Sequence, residues 1–322
     1  MKILITGTGL IGCYTAAQLI DSGHEVVLYD LAPHANYIEK VLGKRKVTVR
    51  QGDITRIQEL VDFQHYCNSD QQIEMVVHTS GLIGGVARAN PYSALRTNLI
   101  GTIELLEASR RVGVKRIIYA STHGVYALDK IREAPFDERA QLSAESIYGA
   151  TKLASEHILE SFGEASGIQM VALRFTNIYG FGEFVGGSSG GSSFQQLVTA
   201  GIEECSITIP PSLIGFGEWL YVKDAALAVQ NALEHPLTKT FTLANIGSGV
   251  LVDENDIVRT LKEVLPMSKF VASSPKQSSI RLTQRFQPFD MTTARDEIGF
   301  SPTFNLIEGI RDYVSVLEDG TH

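Results

Sequence analysis

Six short runs of apolar, β-favouring residues recur through the first 175 positions: "KILIT" (2–6), "EVVLYD" (25–30), "KVTVRQ" (46–51), "EMVVHT" (74–79), "RIIYAS" (116–121) and "QMVALRF" (169–175). Most are continuously apolar rather than alternating, so both faces of each strand need a cover. Between them, apolar residues recur at helical spacing, as from Ile11 to Ile20 and at Leu99, Ile103 and Leu106. Strands that alternate with helices and bury both faces predict an α/β fold, a doubly wound parallel sheet.

The chain changes character after position 175. "GFGEFVGGSSGGSSF" (180–194) reads as loop. Helices are expected near 194–203, 223–235, 253–265 and 305–318, and strands near 219–222 and 240–246, with Pro266 closing the third helix. No repeat and no long linker separates the halves. The expected division is residues 1–175 as a nucleotide-binding domain and 176–322 as a substrate-binding region partly interleaved with it. The net charge of −8 carries no block of like sign, which argues against nucleic acid or anionic membrane as a partner. Cys13, Cys67 and Cys205 have neither disulfide-framework nor metal-ligand spacing, so no metal is expected and a reducing cytoplasm fits. The opening "MKILITG" is too short an apolar run for a signal peptide. A cytoplasmic protein is the expectation.

"ITGTGLIG" follows the first strand and opens a helix. Its Gly7, Gly9 and Gly12 form G-x-G-x-x-G. The first glycine permits a tight turn, the second lets backbone N–H groups approach a pyrophosphate, and the third allows close helix–strand packing. Leu10 and Ile11 lie within that turn. Asp30 ends the second strand about twenty residues later, where a carboxylate accepts from ribose hydroxyls. It would repel a 2′-phosphate, so NAD is favoured over NADP. Asp53, with Ile54 after it, either meets the adenine edge or caps a helix beginning at "DITRIQEL".

Further motifs, "LYDL", "GDI", "HTSGLIGGVA", "TNLIGTIELLEA", "YASTHGVYA", "YGATKLASE", "LRFTNIYG", "EWLYVKDAALAV" and "NIGSG", follow in order. Together they resemble the extended short-chain dehydrogenases/reductases with a Rossmann fold. More closely, they resemble the NAD-dependent epimerase/dehydratase family, its UDP-galactose epimerase-like members above all. The resemblance implies that Thr122, Tyr148 and Lys152 form the reacting group. It implies that Thr79, Ser80, Gly81 and Asn98 border NAD, that Lys152 holds the nicotinamide ribose, and that Asn98 braces the strand ends or a water. A free tyrosine titrates near ~10. A neighbouring ammonium and the nicotinamide charge are expected to lower that, so that Tyr148 can exchange a proton with a substrate alcohol. His123 is either a substrate contact or a strand-end histidine bonded to backbone, and Asn177 either a substrate contact or a turn former.

The sequence departs from the family pattern in three places. The glycine turn is one residue shorter than the usual G-x-x-G-x-x-G. His123 and Gly124 stand where dehydratases place two acids, which disfavours dehydration. Gly217 stands where sugar-nucleotide members often carry a diphosphate-gripping arginine, and Glu218 follows it as an added anion. Arg174, Arg281 or Arg285 could compensate, although Arg174 ends a strand and could instead be structural, and the 186–193 run could form a lid or be merely disordered. The implied function is an NAD-dependent epimerase or dehydrogenase acting on a hydroxyl-bearing carbon of a sugar or sugar nucleotide. The alternatives are a dehydrogenase of a small sugar, polyol or hydroxy-carbonyl compound and, more remotely, a non-catalytic NAD-binding regulator. The resemblance also implies a homodimer through helices near 92–112 and 146–163.

Overall fold

The computed structural model describes residues 1–67, 72–183, 188–213, 217–271 and 287–319. Twelve strands are present among the described residues: β1 (Lys2–Thr6), β2 (Glu25–Asp30), β3 (Thr48–Gln51), β4 (Ile73–His78), β5 (Arg116–Thr122), β6 (Gln169–Phe175), β7 (Asn177–Tyr179), β8 (Ser206–Thr208), β9 (Gly217–Tyr221), β10 (Phe241–Ile246), β11 (Leu251–Val252) and β12 (Lys269–Val271). The helices among the described residues are α1 (Leu10–Asp21), α2 (Ala35–Leu42), α3 (Ile57–Cys67), α4 (Gly84–Ala89), α5 (Pro91–Leu95), α6 (Gly101–Val112), α7 (Ile147–Ser166), α8 (Ser189–Ile202), α9 (Val222–Glu234), α10 (Glu254–Val264), α11 (Thr292–Ile298) and α12 (Leu306–Asp319). A π-helical turn, Arg96–Ile100, joins α5 to α6.

Seven strands form one sheet in the order β10-β6-β5-β4-β1-β2-β3, with every pairing parallel. The chain winds outward from β1 in both directions, so the order reverses between β1 and β4. A crevice opens there at the carboxyl ends of the strands, the usual ligand position in such sheets. Burial confirms the two-sided cover. Ile3 and Ile5 join one core with Cys13, Leu19 and residues of α9, whereas Leu4 joins the opposite core with Leu60, Leu105 and Leu159. The edge strand β3 is exposed along its length and is shorter than the 46–51 run.

Two smaller sheets lie beyond β6. In one, β9 pairs parallel to β7 and antiparallel to β11, and in the other β12 pairs parallel to β8. The 180–194 loop expectation fails in its second half, because α8 begins at Ser189. Ser188 caps it by accepting from Gly191 N at 3.3 Å. A Cβ on Gly190 would lie 3.0 Å from the Trp219 ring, so small residues here let the helix start sit on that indole. The helix expected at Asp53 starts four residues later, at Ile57. Asp53 instead holds a turn, accepting from Thr55 N and Thr55 Oγ1, each at 2.8 Å. No helix among the described residues is long and apolar enough to cross a membrane.

Candidate active site

The glycine turn sits at the sheet's reversal point. Gly7 adopts φ +96°, and a Cβ there would press on Thr79 Oγ1 and Ser80 N, at 2.7 and 2.8 Å. Thr79 Oγ1 in turn donates to Thr6 O at 2.8 Å, which locks the loop after β4 against the loop after β1. A Cβ on Gly12 would overlap the Gly7 carbonyl, so α1 can lie this close to β1 only with glycine there. A Cβ on Gly9 would meet no protein atom within 4 Å. That side of the turn is open where α1 starts, and no side chain caps the helix. Leu10 and Ile11, half-buried, form its first turn. An uncapped N-terminus bordered by glycine suits a pyrophosphate.

Asp30 closes the far side. Its Oδ2 accepts from Thr8 N at 2.7 Å and its Oδ1 from Ala32 N at 2.9 Å. The carboxylate is thereby aimed over the turn, with lone pairs left on both oxygens for ribose hydroxyls. Asp53 is partly engaged by Thr55 and lies 3.7 Å from Arg56 Nε. Ile54, buried, packs against Gly101. These residues fit a dinucleotide with free ribose hydroxyls.

Tyr148 and Lys152 share one face of the first turns of α7, as their spacing requires. Ser146 caps that helix through Gly149 N at 3.0 Å. Gly149 sits so close to the Gly124 carbonyl that a Cβ would overlap it, which presses the helix start onto the turn after β5. The Thr122 side chain lies beside the Tyr148 phenol and favours its ionised form. Thr122 Oγ1 accepts from Gly124 N at 3.1 Å. Lys152 Nζ donates to Ala120 O at 2.6 Å and lies 5.8 Å from the centre of the Tyr148 ring. A Cβ on Gly81 would be 3.2 Å from Asn98 Oδ1 and 3.9 Å from Lys152 Nζ, so the loop after β4 also reaches this point.

One expectation is reversed in the protein alone. Desolvation pushes the phenol of the half-buried Tyr148 up to about 12, opposed only by the Thr122 hydroxyl. Burial also pulls the Lys152 ammonium down to about 7, opposed by Glu156. The ammonium is directed at the Ala120 carbonyl rather than at the phenol, so desolvation outweighs its field. The arrangement is a neutral phenol near a hydroxyl and a poised amine, which can pass a proton once further positive charge is present.

Asn98 braces a loop. Its Oδ1 accepts from Leu82 N at 2.7 Å, and its Nδ2 donates to Leu82 O at 2.9 Å and Thr151 Oγ1 at 3.2 Å. His123, half-buried, donates from Nδ1 to Phe175 O at 3.1 Å, which meets the backbone-bonded alternative. Asn177 Nδ2 donates to Glu218 O at 3.1 Å within the β7–β9 pair.

Arg174 takes its structural alternative, and the charge argument drawn from Glu218 does not hold. Arg174 is 2% exposed and bonds Glu156 through Nε at 3.0 Å and Nη2 at 2.7 Å. Its Nη1 reaches Tyr126 OH and Glu138 O, so this guanidinium is committed to the interior. Glu218, 4% exposed, turns its carboxylate onto Gly249 N at 2.7 Å and Phe289 N at 3.0 Å. It organises a loop rather than facing a substrate. Burial raises its pKa against these backbone donors. Arg281 and Arg285 lie outside the described residues, as do positions 186 and 187 of the proposed lid. His78, Thr102, Ser121 and Glu156 escaped the sequence reading. Only the lone histidine ending the apolar run "EMVVHT" signalled any of them.

Comparison with known proteins agrees with this geometry. The chain is 30% identical to the UDP-glucose 4-epimerase of Bacillus subtilis (strain 168), over 97% of this chain and 95% of the relative. Its fold matches the UDP-glucose 4-epimerase of Thermotoga maritima, solved with UDP-glucose, at a TM-score of 0.79 and 23% identity, covering 99% of each chain. It matches that of Stenotrophomonas maltophila, solved with NAD and formylated UDP-arabinopyranose, at 0.82 and 21% identity, covering 99% of this chain and 98% of the other. The profile of one family spans residues 3–247, from β1 through the end of β10. By that match and by the full-length relative, the chain belongs to the NAD dependent epimerase/dehydratase family.

Proposed function

We propose that this enzyme is a UDP-sugar 4-epimerase that uses NAD as a resident cofactor and Tyr148 as its acid–base group. The observation that carries the reading is the pairing of Tyr148 and Lys152 on one face of α7, with Nζ 5.8 Å from the phenol ring, at the strand ends that border the glycine turn. The full-length resemblance to a UDP-glucose 4-epimerase supports the substrate class. Glu218 is consumed by backbone donors, so its charge is no objection to a diphosphate.

When bound, NAD supplies a reversible two-electron acceptor and a positive ring. Gly9 and the start of α1 would hold its pyrophosphate, and Asp30 would hold the adenosine ribose. Gly81, Asn98 and Lys152 would border the nicotinamide end. Thr122 Oγ1 orients the substrate hydroxyl. The Tyr148 oxygen takes the proton from that hydroxyl and returns it to the same oxygen after the sugar has presented its other face. His123 and Asn177 stand at the substrate side, and no carboxylate at 123 or 124 is present to expel water from the sugar.

A second copy completes the proposed assembly. Tyr92, Leu95, Ile100 and Ile103 are exposed along α5, the π turn and α6, the face expected to meet a partner. Sedimentation of wild type against Tyr92→Glu tests the dimer.

The function is tested by extracting nucleotide from purified protein and following UDP-glucose and UDP-galactose by NMR. Bound NAD, interconversion without net NADH, and a fall in kcat of about 10²- to 10⁴-fold in Tyr148→Phe are expected. Consumption of added NAD in step with substrate would make it a dehydrogenase instead. Full activity in Tyr148→Phe would remove the acid–base assignment.

A further inference from the structure

His78 ends β4 and is 1% exposed, with both ring nitrogens engaged. Nδ1 lies 2.7 Å from Thr6 Oγ1, and Nε2 lies 2.9 Å from Thr102 Oγ1. Thr102 Oγ1 donates its one proton to Asn98 O at 2.7 Å. It therefore accepts from His78, which places the ring proton on Nε2. Nδ1 is then an acceptor, and Thr6 donates to it. The bonds run in one direction: Thr6 to His78, to Thr102, to the Asn98 carbonyl.

The last bond falls where the helix widens. The π turn Arg96–Ile100 has Asn98 at its centre, and Thr102 reaches back four residues to the Asn98 carbonyl. A threonine bonded to the carbonyl four residues before it competes with the helical ladder and bends it. The Asn98 side chain is thereby free of its own helix and spans two other elements. It takes both Leu82 backbone groups on one side and reaches Thr151 on the other, and Thr151 Oγ1 donates to Tyr148 O at 2.8 Å.

We propose that His78 is a positioning residue: through Thr102 it holds the widened turn at Asn98, and through Asn98 it fixes the loop after β4 against the first turn of the Tyr148 helix. For its catalytic consequence the proposal rests on Tyr148 being the acid–base group. Its structural content does not. Burial and the nearby Lys152 charge push the imidazole down to about 3, which keeps the ring in the neutral form that this bond order requires.

The experiment pairs ring NMR with kinetics. In ¹⁵N-labelled protein, His78 is expected as the neutral Nε2–H tautomer throughout pH 5 to 8. An Nδ1–H tautomer or a charged ring overturns the proposal. Thr102→Val keeps the side-chain shape and removes the donor to Asn98 O. It is expected to lower kcat about 10- to 100-fold while substrate KM stays within about twofold, the pattern of a displaced reacting group. NAD affinity, read by titration calorimetry, is expected to weaken in the same variant, and Thr102→Ser is expected to restore both. A Thr102→Val enzyme with a lowered melting temperature but unchanged kcat and NAD affinity overturns the proposal in favour of a purely structural bond. Tyr148→Phe is run in parallel. If that variant alone keeps full activity, the acid–base reading fails while the tautomer and NAD-affinity results still judge His78.

Discussion

Lys152 carries an amine into a place with almost no water. It is 3% exposed, and burial pulls its pKa to about 7 from an ordinary 10.5. Between those values the unfolded chain binds a proton that the folded chain does not. Stability therefore rises as pH goes up through this window, and the penalty is fully present below about 7. One pKa unit corresponds to about 1.4 kcal/mol, so the effect is on the order of a few kcal/mol. Above pH 10 the buried tyrosines, Tyr29 and Tyr126 among them, hold protons that the unfolded chain has lost, and the trend reverses. Urea midpoints of cofactor-free wild type should thus climb relative to Lys152→Met from pH 7 to pH 10. Parallel curves would show that the amine is not desolvated as described. Residues of this kind were legible where a motif fixes spacing: Tyr148 and Lys152 share a helix face by arithmetic, and Gly7 and Gly12 by the geometry of one turn. Glu218 was not legible. Its charge is visible in the sequence, but the two amides that bond its carboxylate come from residues 249 and 289, which only the fold brings together.

At the scale of elements, α7 is fastened to the sheet by two successive bonds from one face. Lys152 donates to Ala120 O, and one turn later Glu156 Oε1 accepts from Ser121 Oγ at 2.5 Å. Arg174 on β6 completes the second fastening through a bidentate pair with Glu156, both residues being less than 5% exposed. Breaking one member of such a pair leaves an unpaired buried charge, at about 3–5 kcal/mol, whereas removing both costs far less. Glu156→Leu and Arg174→Met should each lower unfolding stability by about that amount, and the double variant should recover much of the loss. Additive losses in denaturant titrations would contradict this. Element boundaries were legible where apolar period and termination signals agree, as in β1, β2 and β6. They failed where tertiary contact decides, as in α8, whose glycine and serine start is helical because Trp219 and the Ser188 cap hold it. Strands β7, β8, β11 and β12 are two or three residues long, too short for any periodicity to register.

The whole molecule joins what the composition shift near residue 176 would divide. β10 comes from beyond that point and pairs parallel with β6, so the seventh strand of the central sheet belongs to the later part of the chain. α9 packs on α1, where Gln18 Nε2 donates to Gln230 Oε1 at 2.7 Å, and His24 meets Glu234 at 2.9 Å. Arg116, at the start of β5, spends one nitrogen on the Ala232, Leu233 and His235 carbonyls at the end of α9. Removing the later region would uncover the β6 edge and one side of α1, and would strand a buried guanidinium. Neither part therefore has a complete core of its own, and we expect a single unfolding transition for the chain. The single tryptophan makes this measurable, since Trp219 is 8% exposed on β9, inside the later region. Its fluorescence in urea should trace the same midpoint and slope as far-UV circular dichroism, which is weighted to the central sheet and its helices. Bound NAD should then raise both curves together, although the glycine turn lies more than two hundred residues before Trp219 in the chain. A tryptophan transition at lower urea than the dichroic one would mean that the substrate side melts by itself, and that β10 and α9 do not couple it to the sheet.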